Sequence, residues 1–370
     1  MLQTSLFVRT GAPPVRSVRH AGLDGVRGVA VLAVLLFHTD VTWASGGYLG
    51  VDVFFVLSGF LITSLLLAEL DRTDRIDLRR FWARRATRLL PALLTLIVLG
   101  VALGSFIAPL ESARDLRDDA LATFAQVVNW RFIDTIGHSL VGLVRSPFQH
   151  CWSLAIEMQF YLLWPPLLML VAYRRGRNQR RRNVGLLAGG LALASAVAMA
   201  AFVGPDWHTQ RSYYGTDTRA QALLVGAVLA AIIGHRLHGD HPPLSPAAKV
   251  GISAAGSAAA VGLLLAFVVA PTSGHTMFEG WYLVVAVAAT VMLAQVVLAP
   301  ASVVPTLLAA RPVVALGRVS YSLYLWHWPL LLVITEARTG LSGVSLFSAR
   351  IAASLTAACI SYVAVERRFH

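Results

Sequence analysis

Ten apolar stretches of membrane-span length follow one another along the chain, near 27–44, 50–69, 89–108, 152–172, 184–203, 219–235, 249–270, 280–299, 313–334 and 347–365. Polar punctuation between them is short. A backbone in hydrocarbon must satisfy its own hydrogen bonds, so stretches of this kind predict helices. The whole pattern predicts an all-α, polytopic integral membrane bundle of about ten transmembrane helices. No repeat of solenoid or inverted-half type is visible, so a single integral membrane domain over 1–370 is expected. The arginine-bearing N-terminus (Arg9, Arg16, Arg19) has no small-residue cleavage site. Residues 1–21 therefore read as a cytoplasmic segment before a retained first span.

Composition agrees with this class: 56% of residues are hydrophobic and 14% charged, too few charges for a soluble domain of 370 residues. The formal net charge of +12 changes the picture only through its placement. One short loop, 71–88, holds Arg72, Arg75, Arg79, Arg80, Arg84, Arg85 and Arg88, and another, 174–182, holds Arg174, Arg175, Arg177, Arg180, Arg181 and Arg182. Arginine concentrated in short inter-span loops marks cytoplasmic loops. This predicts a plasma or inner membrane protein with both termini inside, and it argues against nucleic acid as a partner. Segment 109–150 is then external, mixing Glu111, Asp115, Asp118 and Asp119 with Arg114, Arg117, Arg131 and Arg145, and holding a short amphipathic helix around 112–130. Cys151 and Cys359 have no metal-ligand spacing, so no metal is expected, and nothing asks for a disulfide.

The candidate chemistry begins at Leu23-Asp24-Gly25-Val26-Arg27-Gly28, which leads into the first span and His38. Eleven residues separate Arg27 from His38, about three helical turns, so both fall on one face roughly 16 Å apart. An ionisable side chain inside a span is costly and points to function. With the first span running outward, Asp24 and Arg27 lie at the cytoplasmic end and His38 in the middle or outer half. The second span runs inward from Asp52, and the fourth places Glu157 one to two turns below its outer end. His38, Asp52 and Glu157 are therefore expected in one layer, with Arg27, Arg84, Arg85 and Arg88 in the opposite one.

These segments resemble the membrane-bound acyltransferase-3 family. The likeness is carried by Gly22-Leu23-Asp24-Gly25-Val26-Arg27-Gly28-Val29-Ala30 with His38, by 50–62 (Gly50-Val51-Asp52 through Ser58-Gly59-Phe60-Leu61-Ile62), by 81–91 (Phe81-Trp82-Ala83-Arg84-Arg85 through Pro91), by 152–161 (Trp152-Ser153-Leu154-Ala155-Ile156-Glu157-Met158-Gln159-Phe160-Tyr161), and by 320–329 (Ser320-Tyr321 through Trp326-His327-Trp328-Pro329). The five motifs fall in the family's order and cover nearly the whole chain. The resemblance implies transfer of an acyl group, usually acetyl from acetyl-CoA, to a hydroxyl of a carbohydrate or glycosylated molecule. No permanently bound cofactor is implied; acyl-CoA is a co-substrate.

Carried over residue by residue, Arg27 and His38 match the family's arginine–histidine motif, Asp52 and Ser58 its second motif, and Glu157 its fourth. Two departures stand out. Met158 occupies the place where many members have a second acidic residue, and the chain ends at His370 without the extracytoplasmic hydrolase-like domain that some members append. Transfer is then expected to finish within the membrane domain or with a separate partner. On this reading Arg27, Asp24, Arg84, Arg85 and Arg88 form the coenzyme mouth, guanidinium groups suiting phosphate. His38 is the general base, Asp52 or Glu157 orients it, and Ser58, Trp152, Tyr321 and His327 stand near the acceptor.

Plainer readings fit the same residues. Asp52 is placed to cap the second span, Glu157 to pair with Arg131 or Arg145, Ser58 beside Gly59 to allow close helix packing, and Trp326-His327-Trp328 to form an interfacial aromatic belt. The stretch Tyr213-Tyr214-Gly215-Thr216-Asp217-Thr218-Arg219 suits either sugar binding or capping of the sixth span. A transporter with an intramembrane proton relay is the competing function. Within the acyltransferase reading, the acceptor is a surface or lipid-linked glycan or a macrolide-like product, and membrane lipids surround the bundle.

Overall fold

In the computed structural model, residues 20–107, 113–138, 146–203, 209–237, 244–272 and 274–368 are described. The expectations attached to residues 1–19, Glu111 and Arg145 lie outside the described residues. Every regular element among the described residues is helical. The helices are α1 (Ala21–His38), α2 (Gly50–Thr73), α3 (Leu78–Ile107), α4 (Ala113–Phe124), α5 (Val128–His138), α6 (Trp152–Ala172), α7 (Arg177–Ala201) and α8 (Thr209–Tyr214), then α9 (Thr216–Ile233), α10 (Pro246–Val269), α11 (Trp281–Leu298), α12 (Val303–Leu308), α13 (Arg311–Arg318), α14 (Ser320–Val333), α15 (Glu336–Thr339) and α16 (Gly343–Ala364).

Nine of these, among the described residues, are long and apolar enough to cross a membrane: α1, α2, α3, α6, α7, α9, α10, α11 and α16. The remaining expected span, 313–334, is broken at Val319 into α13 and α14. The expected amphipathic helix around 112–130 is α4. Helices α2 and α9 are the most enclosed, whereas α10 and α16 expose apolar faces carrying residues such as Val261, Leu264, Ile360 and Val363. Apolar surface facing outward is what a lipid-embedded rim requires.

Close backbone approach fixes the interior, and small residues permit it. A Cβ added to Gly59 would lie 1.7 Å from the Leu223 carbonyl oxygen, so α2 and α9 meet backbone to backbone. The same logic explains the opening motif. A Cβ on Gly25 would meet the Leu308 oxygen at 1.9 Å, and one on Gly28 the Val313 oxygen at 2.3 Å. The glycines flanking Arg27 thus let α12 and α13 lie against α1. With α2 and α14 on its other sides, α1 becomes the axis that carries Arg27 at one end and His38 at the other.

The two arginine-rich loops share one face. Asp71 near the end of α2 pairs with Arg181 at 2.7 Å and Arg177 at 3.3 Å. Arg180 bonds Asp74 and donates to the Leu70 carbonyl. The 174–182 run is therefore also a structural clasp at the end of α2.

Candidate active site

Arg27 opens into a cavity of ≈ 690 Å³ that it shares with Ser58, Arg85, Arg88, Glu157 and Tyr321. Three residues apart on α3, Arg85 and Arg88 fall on one helix face. Arg84, one position earlier, is not among the lining residues and stands 3.9 Å from Glu69 instead. Trp82 donates its indole N–H to the Tyr161 carbonyl at 3.0 Å, pinning α3 to α6. That contact sets the Arg85 guanidinium 5.6 Å from the Tyr161 ring centroid. Tyr321 donates to the Leu89 carbonyl at 2.9 Å, tying α14 to the same helix. Asp24 lies 3.7 Å from Arg27 as a turn-spaced partner.

Glu157 belongs to this arginine cavity, which corrects the expectation that it shares a layer with His38. Ser58 and Tyr161 both donate to its Oε1. Ser58 lies six residues past Asp52 along α2, about 9 Å deeper, so Glu157 opposite it is deep as well. Arg131 does not reach Glu157; it holds Asp119 at 2.5 Å and Asp115 at 3.2 Å.

Asp52 is buried and accepts a hydrogen bond from Arg219 at 2.9 Å. The N-cap position of α2 is Leu49, whose side chain makes no cap, and Asp52 stands in the first turn. Neither Asp52 nor Glu157 is among the described partners of His38, so the expected carboxylate-oriented imidazole gives way to another arrangement. The Arg219 guanidinium stacks among aromatic rings, 4.2 Å from Tyr282, 5.2 Å from Tyr213 and 5.5 Å from Trp152. Trp152 accordingly serves as a wall of this cage, packed also on Tyr214. The polar groups of 214–219 are engaged internally: Thr216 with Gln159, Asp217 with Arg211, and Thr218 with the Ser212 carbonyl.

The second polar centre is a histidine cluster. His38 Nδ1 lies 3.0 Å from the Val34 carbonyl and 3.3 Å from His327 Nε2. His327 Nδ1 lies 2.7 Å from the Tyr324 carbonyl. A carbonyl only accepts, so the network assigns the proton to Nδ1 in both rings. His327 Nε2 then offers its lone pair to the His38 N–H. His150, also buried, packs edge-on to His327 at 5.5 Å between centroids. Trp328 packs edge-on against His38 at 5.1 Å. His327 is thus buried beside His38 rather than part of an interfacial belt.

A partition separates the two centres. Tyr324 donates to the His150 carbonyl at 2.9 Å and contacts Ser153 Oγ at 2.6 Å, which makes Ser153 the donor in that second bond. Both side chains line the arginine cavity, whose lining does not include His38. Beyond Tyr324 lie the rings of His150 and His327, at 5.6 and 5.4 Å. Sequence reasoning missed His150, Tyr161 and Tyr324 as parts of the site, and it named Arg219 within 213–219 without its pairing to Asp52. Tyr161 and Tyr324 lie inside the motifs already quoted, and His150 stands two residues before Trp152. Among the described residues no group of three or more His, Cys, Asp or Glu is arranged to hold a metal, and Cys151 and Cys359 are both free thiols.

Comparison with known proteins adds the family. The profile described as an acyltransferase domain matches residues 20–366. The peptidoglycan O-acetyltransferase OatA of Listeria monocytogenes is 37% identical over 321 residues, covering 85% of this chain and 49% of its own length. The O-acetyltransferase OatA of Staphylococcus aureus is 36% identical over 324 residues, covering 85% and 51%. This chain spans about half the length of these curated relatives. No solved structure matches it. With a profile that covers nearly the whole chain and motifs that meet around α1, the chain belongs to the acyltransferase-3 family.

Proposed function

We propose that this chain is a multi-pass membrane O-acetyltransferase that moves an acetyl group from acetyl-CoA to a hydroxyl of a carbohydrate acceptor. The observation that carries this reading is the division of labour along α1, with a cation-lined cavity at Arg27 and an imidazole of assigned tautomer at His38. Arg27, Arg85 and Arg88 outnumber the single carboxylate of Glu157 in that cavity, which suits a phosphorylated ligand. Glu157 holds the Ser58 and Tyr161 hydroxyls, shaping the wall past which the pantetheine arm extends.

The acceptor hydroxyl gives its proton to His38 Nε2 as its oxygen attacks the thioester carbonyl carbon. A carbon–oxygen ester bond forms, the carbon–sulfur bond breaks, and the proton passes from the imidazolium to the departing thiolate. While charged, His38 keeps its Nδ1–H on the His327 lone pair, which stabilises the cation. For the thioester to reach His38, Tyr324 must swing from Ser153. The positive-inside rule puts the arginine loops and both termini in the cytoplasm, so the donor enters from that side. The names of the relatives favour a cell-envelope glycan as acceptor.

The test is to reconstitute the full chain in proteoliposomes with radiolabelled acetyl-CoA and solubilised peptidoglycan fragments. The reading expects alkali-labile acetyl ester on the glycan and release of free thiol. Movement of glycan across the membrane with no thioester consumed would establish a transporter instead.

A further inference from the structure

A second hollow, of ≈ 440 Å³, lies at the His38 end of α1, where α2 and α11 begin and α10 ends. Its walls are Phe37, Tyr48, Tyr213, Met277, Phe278 and Tyr282. None of the five sequence motifs supplies most of this wall; Met277 and Phe278 come from the turn before α11. The rings brace one another: Phe37 meets Tyr48 at 5.4 Å, and Phe278 meets Tyr282 at 5.5 Å. Phe37 in turn packs edge-on to the His38 ring at 5.1 Å. Behind Tyr282 sits the Arg219 guanidinium, buried, bonded to Asp52 through Nη2 and with Nε and Nη1 lacking a hydrogen-bond partner.

The chemistry of this wall differs from that of the arginine cavity. No charged side chain is among its lining residues, so an anionic coenzyme has nothing to bind there. Flat aromatic faces suit the C–H faces of a pyranose, and the phenol oxygens at their edges suit its hydroxyl groups; Tyr48, which donates to the Pro271 carbonyl at 2.8 Å, offers lone pairs only. We infer that this hollow is the acceptor subsite, binding one neutral pyranose unit and setting which hydroxyl is presented to His38 Nε2. The inference rests on the acetyl-transfer reading for its purpose, but the binding it asserts is separately measurable.

The experiment titrates the full chain in detergent micelles with two neutral probes, chitotetraose and maltotetraose, followed by saturation-transfer NMR. The wild type is expected to bind at least one of them, and Phe278→Ala to weaken that binding about fivefold to tenfold through loss of one ring face. Phe278→Trp, which keeps an aromatic face, should retain binding, and Phe278→Leu serves as the ring-free variant if the alanine form does not fold. Acetyl-CoA binding should stay within about twofold in each variant, as expected for a separate site. Failure of both sugars to saturate the wild type overturns the inference, as does Phe278→Leu binding sugar like the wild type. Sugar binding that depends on Phe278 in a protein that never consumes acetyl-CoA would remove the transfer reading and leave this subsite standing. Ester formation with no dependence on Phe278 would do the reverse.

Discussion

The two ends of α1 solve opposite problems. Around Arg27, three guanidinium groups face open space, and only Glu157 among the lining residues opposes their charge. At the His38 end the polar contacts run inside the protein, from the Nδ1 contacts of both histidines to the Asp52–Arg219 pair, with Arg219 Nε and Nη1 left without a hydrogen-bond partner. A half-buried cationic cluster lining a cavity suits capture of a charged ligand, whereas an enclosed network suits holding one proton in one place. Chemistry at the second end depends on arrangement more than on charge.

The contrast can be broken most severely at its buried ion pair. Asp52→Ala strands the Arg219 cation among aromatic rings and should cost about 3–5 kcal/mol of stability. Thermal unfolding in detergent measures this, and Asp52→Leu combined with Arg219→Leu should recover part of the loss. If Asp52→Ala melts like the wild type, the pair is not the strut described here.

His327→Ala removes the lone pair that accepts from His38. It should lower kcat by the equivalent of about 1.5–3 kcal/mol, the range for a hydrogen bond to a charged group. Because the loss falls on the imidazolium, KM for acetyl-CoA should hold steady. At the other end, Arg85→Ala should raise KM for acetyl-CoA by up to about tenfold, since charge-assisted contacts in an open cavity are partly screened. Its neighbour supplies the control: Arg84→Ala, directed at Glu69, should change neither constant by more than about 0.5 kcal/mol. Equal effects from the two arginines would contradict the assignment of the cavity wall. Between these, Ser58→Ala removes one donor to Glu157 and should cost about 0.5–1.5 kcal/mol in catalytic efficiency.

The two ends also differ in how much of them is legible in the sequence. Hydropathy located the nine long helices because each must satisfy its backbone within lipid. The span at 313–334 read as continuous because apolar composition does not record a break such as that at Val319. Arg27, Arg85 and Arg88 were legible as one basic layer from motif position and depth, which also drew in Arg84; Tyr321, expected near the acceptor, joins that cavity only through the packing of its helix on α3. The partners of His38 were not legible. Depth along a span says how far in a side chain lies and nothing about which neighbouring helix it meets, so Glu157 was assigned to the wrong layer. Asp52 was matched to the imidazole for the same reason, its true partner Arg219 lying 167 residues away. His327 was hidden among tryptophans that resemble an interfacial belt, and only tertiary packing buries it.

The central claim is that donor capture and proton removal are performed by separate ends of one helix. It is tested most directly by single-turnover transfer in His38→Ala, with acetyl-CoA binding measured on the same sample. The account predicts coenzyme affinity near that of the wild type and a transfer rate lower by about 10²–10⁴, the span of a lost general base. Transfer at the wild-type rate, or loss of coenzyme binding together with transfer, would contradict it.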